Sequence, residues 1–470
     1  VTTEATIQVR YPKIMLSVLM AGTFTGLFGE TALNMALTNL MSQFSLSAGQ
    51  AQWLVTGYLL TLAVFVPVSA FLVRWFNTRV LILTALCVSL AGCLVAALAP
   101  GFAVLLLGRV IQAVGTGVIL PVMMSAALLI FPVYQRGMVM GMIGIAITLA
   151  PALGPTISGF IITLLSWHAI FWLSALAYAA IILFAVKSIA PIGDITRPRI
   201  DIMSLLLSSA GFSGIIYGLA ILAEHSLSDP AVWGSLLAGV LCLGVFARRQ
   251  THMAMPMIHP DVFRNPLFII GLIMMILSMM SVLSAAIILP VFLKDVLMLS
   301  AALAGVLLLP GNIINVVFSP LIGFLYNRFD SRPFVVCGSL FMLMSAALFL
   351  YAIGENAPVW QIVAAFMLLC LGVTCVIMPA QTTAMSALPA RLYADGSAVW
   401  NTFYQVAGAV GTASAISLMS FYRDTAAQQT ATAALASGIH AVFRLSLLLG
   451  LLSLVFAFFM KKPRPHADAA

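Results

Sequence analysis

The sequence predicts an all-α membrane protein with fourteen transmembrane helices, on three observations. Of its 470 residues, 63% are hydrophobic and 7% charged, and the mean hydropathy is +1.14. A soluble domain carries roughly 25% charged residues, so a surface this poor in charge has lipid as its solvent. The apolar runs, such as 80–99, 169–186 and 445–460, are long and unbroken. A spanning helix needs about 20 such residues, whereas a barrel strand shows alternating polarity over about 10. The basic residues, finally, alternate between loops in the manner of an oriented bundle.

Helices satisfy their own backbone hydrogen bonds in hydrocarbon. Spans are expected at 14–37, 51–73, 80–99, 103–127, 137–163, 168–187, 202–222, 231–247, 267–292, 301–325, 334–353, 359–381, 396–420 and 439–460. The first run is too long for the apolar core of a signal peptide and reads as a retained helix. With the N-terminus placed in the cytoplasm, all of the 21 Lys and Arg residues except Lys294, Arg423, Arg109 and Arg444 fall in cytoplasmic segments. This is the positive-inside rule, and it sets both termini in the cytoplasm of a bacterial inner membrane. The formal charge of +8 is therefore a topology signal and does not point to nucleic acid. The six cysteines all lie in apolar runs without metal-ligand spacing and read as small hydrophobes. No metal site, cofactor or enzymatic nucleophile–base pattern is expected.

Two stretches repeat. Pro67 to Arg79 (PVSAFLVRWFNTR) resembles Pro320 to Arg332 (PLIGFLYNRFDSR), 253 residues later. Each closes an apolar run on the cytoplasmic side. The repeat implies two bundles of six helices related by an axis along the membrane normal. The expected division is 1–187 for the first bundle, 188–266 for a linker with two additional helices, and 267–470 for the second bundle.

Four motifs then carry a family resemblance. Thr31 to Leu37 (TALNMAL) lies in the first span. Leu105 to Gly115 (LLLGRVIQAVG) lies in the fourth, and Ala150 to Gly159 (APALGPTISG) in the fifth. Gly396-Ser397, Asn401-Thr402 and Gln405 to Ala413 (QVAGAVGTA) follow near the end. Together they resemble the major facilitator superfamily, in its fourteen-helix drug:proton antiporter branch of multidrug and lincomycin-resistance-type exporters. The resemblance covers nearly the whole chain. It implies the major facilitator fold, two six-helix bundles with two extra helices between them. It also implies proton-coupled efflux of amphipathic or cationic compounds by alternating access. The energy source is then the proton gradient, and the partners are a small amphipathic substrate, protons and membrane lipids. A periplasmic adaptor is a further candidate partner, and a monomer is expected. The alternative function is a facilitator or proton symporter for a specific metabolite.

Candidate site residues follow from chemistry. Glu30 is the one acidic side chain inside a predicted span, and intramembrane carboxyls commonly serve ion or proton pathways. A structural carboxyl bonded to a neighbouring helix is the other reading. The resemblance places the usual acid two residues before Thr31, which is Gly29 here, so Glu30 is displaced by about 100° round the helix. Arg109, deep in its span, needs an acceptor such as Glu30, Asn34 or a carbonyl. Its roles are proton coupling or a fixed structural pair. Gln112 shares its face. Polar and aromatic residues within spans are cavity candidates: Phe28, Asn34, Trp53, Tyr58, Gln112, Asn312, Asn315, Gln381, Trp400, Asn401, Tyr404 and Gln405. Trp53 also fits an interfacial belt.

The resemblance makes Gly154, Pro155 and Gly159 a hinge and seal. It makes the 67–79 and 320–332 copies, ending at Arg79 and Arg332, a gating element. That element normally carries Asp followed by Arg, but here it reads Arg74-Trp75 and Asn327-Arg328. With that motif carboxylate absent from both copies, a weak charge link between the bundles is expected, with Arg79 and Arg332 left for anionic headgroups.

Overall fold

A computed structural model describes residues 11–461, except 47, 193–200, 223–228, 254–255, 300, 327, 353–357 and 426–430. The side chains of Asn34 and Pro155 also lie outside the described residues, as does Asn327. The described chain is helical throughout. The helices are α1 (Pro12–Ala32), α2 (Leu37–Phe44), α3 (Ala48–Trp75), α4 (Thr78–Ala97), α5 (Phe102–Ile130), α6 (Val133–Leu164), α7 (Trp167–Ser188), α8 (Ile202–Leu222), α9 (Pro230–His252), α10 (Pro266–Val291), α11 (Ala301–Tyr326), α12 (Ser331–Ala352), α13 (Val359–Ser386), α14 (Tyr393–Thr425) and α15 (Ala431–Ala457). A 3-10 turn, Leu33–Ala36, joins α1 to the short α2.

Each expected span thus has its helix. Among the described residues, twelve are long and apolar enough to cross a membrane, and α6 and α14 are not among them. α14 falls short because it carries Asp395, Ser397, Asn401, Thr402, Gln405 and Thr412. Asp395, Ser397, Asn401 and Thr402 are buried, so its polarity faces protein.

Packing groups α1 and α3–α7 around α5, and α10–α15 around α10 and α13. α5 is the most enclosed helix, with 89% of its best apolar stretch buried, against 28% for α8 and 17% for α9. α8 lies against α3 and α14, and α9 packs mainly on α8. The two groups meet through α6 with α11 and α13, and through α14 with α3 and α5.

Lipid offers no hydrophobic drive to helix pairing, so close backbone approach between small residues does that work. The α4–α5 crossing shows this. A Cβ on Gly92 would stand 2.4 Å from the Gln112 amide nitrogen and 2.8 Å from the Gly108 carbonyl. One on Gly115 would stand 2.3 Å from the Ala85 carbonyl oxygen. These obstacles are backbone and cannot rotate away. Gly92→Val is therefore expected to lower the thermal midpoint of the detergent-purified protein, by a destabilisation of at least about 1–3 kcal/mol. An unchanged midpoint would contradict the crossing.

The α6–α11 contact is equally close. A Cβ on Gly323 would meet the Gly137 carbonyl at 2.3 Å, and one on Gly141 would meet the Ser319 carbonyl at 2.7 Å. This contact lies at the end of the bundle that also carries Arg74, Arg79, Arg136, Arg328 and Arg332, here termed the basic end. At that end the two groups are closed on each other.

Candidate functional site

Arg109 is wholly buried, about two turns into α5. Its charge is spread over α1 and α3. Nη1 donates to the Gly29 carbonyl and to Gln112 Oε1, both at 2.9 Å. Nη2 donates to the Glu30 carbonyl at 3.5 Å and Nε to the Leu54 carbonyl at 3.4 Å. The guanidinium also lies 4.1 Å from the centroid of the Tyr58 ring, a cation–π contact. Of the expected acceptors, backbone carbonyls serve, and the Glu30 side chain does not take the hydrogen bonds.

The other residues around Arg109 hold it in place. Tyr58 donates to the Gly26 carbonyl and to Thr116 Oγ1, both at 3.0 Å. Gln112 Nε2 donates to Cys93 Sγ at 3.3 Å. Tyr58 and Gln112 are both fully buried inside the first group of helices. The geometry explains why Gly occupies position 29. A Cβ there would stand 2.7 Å from Gln112 Nε2, and one on Gly26 would stand 2.5 Å from Thr116 Cγ2. A side chain at 29 would displace the amide that binds Arg109.

Glu30 points the other way, toward the second group. Gln405 of α14 stands beside its carboxyl, with Tyr404 and Arg109 as electrostatic neighbours. Its Oε2 is buried and has no hydrogen-bond partner among the described residues. The structure thus brings together Glu30, Tyr404 and Gln405 across the seam, beside the Arg109 cluster. Phe28 is buried two residues earlier on α1, about half a turn round the helix. Thr31, the next residue on α1, packs on α6. A Cβ on Gly154 would stand 2.1 Å from Thr31 Oγ1, and that hydroxyl donates to the Pro151 carbonyl at 3.4 Å. A Cβ on Gly159 would stand 3.7 Å from Met35 Cε. The α6 motif therefore adjoins the Glu30 segment.

Nearer the basic end, a sulfur atom joins the groups. Gln381 Nε2 (α13) and Asn401 Nδ2 (α14) both donate to Met124 Sδ on α5, at 3.4 and 3.0 Å. Trp400 is buried beside them. Asn312 and Asn315 lie half-buried on α11, where Asn315 Oδ1 accepts from Thr374 at 2.6 Å. Trp53 stands apart. It is 43% exposed, with its ring 5.9 Å from that of Tyr217 on α8. Arg79 donates to the Val186 carbonyl at 2.6 Å, and Arg332 lies over the Phe458 ring.

The weak charge link expected between the groups is corrected here. Arg74 forms an ion pair with Asp395 in the first turn of α14, and also donates to the Pro256 carbonyl at 3.0 Å. Asp395 is fully buried. Arg136 at the start of α6 donates to Tyr393 Oη at 2.9 Å and lies over its ring. The repeat supplies the cation instead of the acid, and the acid comes from α14. Asp395 was missed because it precedes a predicted span and reads as a loop acid. The available signal was Arg74 itself, a cation where the gating motif carries Asp.

Comparison with known proteins supplies the frame. The sequence profile of the Major Facilitator Superfamily matches residues 19–412. A lincomycin resistance protein, LmrB, of Listeria innocua is 42% identical over 464 residues, covering 97% of this chain and 98% of the relative. LmrB of Bacillus subtilis is 40% identical, covering 98% of each. Among solved structures, the human organic anion transporter MFSD10 aligns with a TM-score of 0.65 at 14% identity, covering 95% of this chain and 99% of that one. The proton:xylose symporter XylE aligns with the same score and identity, covering 96% and 95%. These two likenesses concern the fold.

Proposed function

Because the chain belongs to the major facilitator superfamily, a family of transporters and not of enzymes, we propose that it exports amphipathic or cationic drugs in exchange for protons. Glu30 is the proton site and Arg109 the fixed charge beside it. The observation that carries this reading is the buried, unpartnered Glu30 Oε2 at the seam between the two groups of helices. A carboxyl at a moving interface gains or loses solvent as either side opens, so its protonation follows the transport cycle. The relatives' name, lincomycin resistance protein, points the substrate toward drugs of that kind.

The rest of the reading follows from this. The chain crosses a bacterial inner membrane fourteen times with both ends cytoplasmic, in units 1–187, 188–266 and 267–470. α6 and α14 cross with their polar faces turned to protein. The basic end is the cytoplasmic face, so the conformation is closed to the cytoplasm. Substrate contacts come from residues at the seam, including Tyr404 and Gln405. Alternating access then rocks one bundle against the other.

A susceptibility panel in a pump-deficient bacterial host tests the function. Expression is expected to raise tolerance to lincomycin and to cationic dyes, and to lose that effect when the proton gradient is collapsed. Inward accumulation of a labelled compound, with no gain in tolerance, would favour the uptake alternative.

A further inference from the structure

α8 and α9 form a hairpin outside the two main groups. Small residues hold it together. A Cβ on Gly239 would stand 2.8 Å from the Ile215 amide nitrogen, and one on Gly211 would stand 2.5 Å from Leu243 Cδ2. Toward the basic end, a groove of about 450 Å³ opens between the two helices. It is lined by Met203 and Leu207 of α8, by Val245, Arg248, Arg249 and His252 of α9, and by Met253.

The lining is divided by depth. Leu207 is one turn further along α8 than Met203, and Val245 is nearly one turn before Arg248. The steps are about 6 and about 4.5 Å along their helices. The cations therefore stand at the mouth and the aliphatic side chains toward the middle of the apolar span. Both helices here are long and apolar enough to cross a membrane, and Met203, Val245, Arg248, Arg249 and His252 are exposed.

The cations are not equivalent. Arg249 is fixed by Asp201, at 2.7 and 3.0 Å. That bond holds the Asp201 carboxyl down to about 2, so the pair stays ionised at every physiological pH. Ser204 donates to the same carboxylate and accepts from Gln250 Nε2 at 2.7 Å, which ties α8 to α9. Asp201 thereby uses one charge of the mouth and leaves Arg248. The Arg248 side chain makes no ion pair or hydrogen bond among the described residues, though its carbonyl lies 2.8 Å from His252 Nδ1. An unpaired guanidinium above an aliphatic slot is complementary to a phosphate carrying acyl chains.

We propose that this groove binds an anionic glycerophospholipid. The phosphate engages Arg248, with Arg249 and His252 beside it, and an acyl chain lies along Leu207 and Val245. The helix hairpin then works as a lipid-anchored flank to α3 and α14, against which α8 packs. This site is independent of the drug and of the proton pathway.

The full chain, purified and delipidated in detergent, tests this by titration with phosphatidylglycerol or phosphatidylcholine, read by native mass spectrometry and thermal midpoint. Phosphatidylglycerol is expected to be retained and to raise the midpoint, with phosphatidylcholine much weaker. Arg248→Gln is expected to weaken retention about fivefold, the effect of one basic residue near a charged surface. Leu207→Trp fills the slot and is expected to reduce retention with every charge in place. Lys187→Gln, in the last turn of α7 and outside the groove, leaves it unchanged. The proposal is overturned if Arg248→Gln and Leu207→Trp both retain phosphatidylglycerol as the parent does. It is equally overturned if phosphatidylcholine binds as well, or if inorganic phosphate at matched concentration displaces the lipid.

Discussion

Glu30→Gln is expected to reduce gradient-driven efflux to the level of cells lacking the pump, while leaving the purified protein folded. The glutamine has nearly the same shape and keeps a polar head beside Gln405, the neighbour of the carboxyl across the seam. What it removes is the titration. An intramembrane carboxyl with one buried oxygen unpartnered is costly to hold as a charge and useful mainly if the charge changes during the cycle. Arg109 cannot substitute, because its donors are already committed to the carbonyls of Gly29, Glu30 and Leu54 and to Gln112. Two measurements separate loss of coupling from loss of structure. The thermal midpoint should stay within about 1 kcal/mol of the parent's stability, the range of a near-isosteric change. Substrate exchange in proteoliposomes without a pH gradient should persist and lose its pH dependence. A variant that still pumps against a gradient at every pH would remove Glu30 from the proton pathway.

How much of this was readable beforehand depended on what the membrane hides. Helix positions were legible because length and apolarity are decided by bilayer thickness alone. Glu30 and Arg109 were legible because charges inside apolar runs are rare. Facing was not. In a soluble helix the polar stripe marks the outside, but here lipid-facing and protein-facing sides are both apolar. A roster of polar residues therefore mixed roles. Tyr58 and Gln112 turn inward to brace Arg109, Gln381 and Asn401 share Met124, and Tyr404 and Gln405 stand beside Glu30 from the second group. Trp53 lies on the exterior beside Tyr217. The acceptors of Arg109 were hidden for a different reason. Backbone carbonyls are present at every position, and which ones approach depends on the missing Cβ at Gly26 and Gly29.

Arg74→Ala is expected to shift the protein away from the conformation closed at the basic end by roughly two to three orders of magnitude in population. Arg74 and Asp395 lie 321 residues apart and join α3 to α14. The pair is unequal: Asp395 is fully enclosed, while Arg74 keeps 20% of its side chain exposed. Removing the arginine strands a buried carboxylate whose Oδ1 already lacks a hydrogen-bond partner among the described residues. Leaving one member of a buried pair uncompensated costs about 3–5 kcal/mol, and here only the closed conformation bears that cost. Removing the acid is milder. After Asp395→Asn, Arg74 retains the Pro256 carbonyl and its solvent contact. The order of effect, Arg74→Ala above Asp395→Asn, separates a buried gate from a surface salt bridge, for which both changes would be small. Spin labels on exposed positions of opposite groups, Tyr134→Cys on α6 and Phe329→Cys before α12, read the separation directly. The exposed Cys87 and Cys337 are first replaced by Ser. Arg74→Ala should lengthen the main distance, and the charge swap Arg74→Asp with Asp395→Arg should recover part of the short one. Identical distance distributions in all four proteins would leave closure of this end to the Arg136–Tyr393 bond and the glycine contacts of α6 and α11.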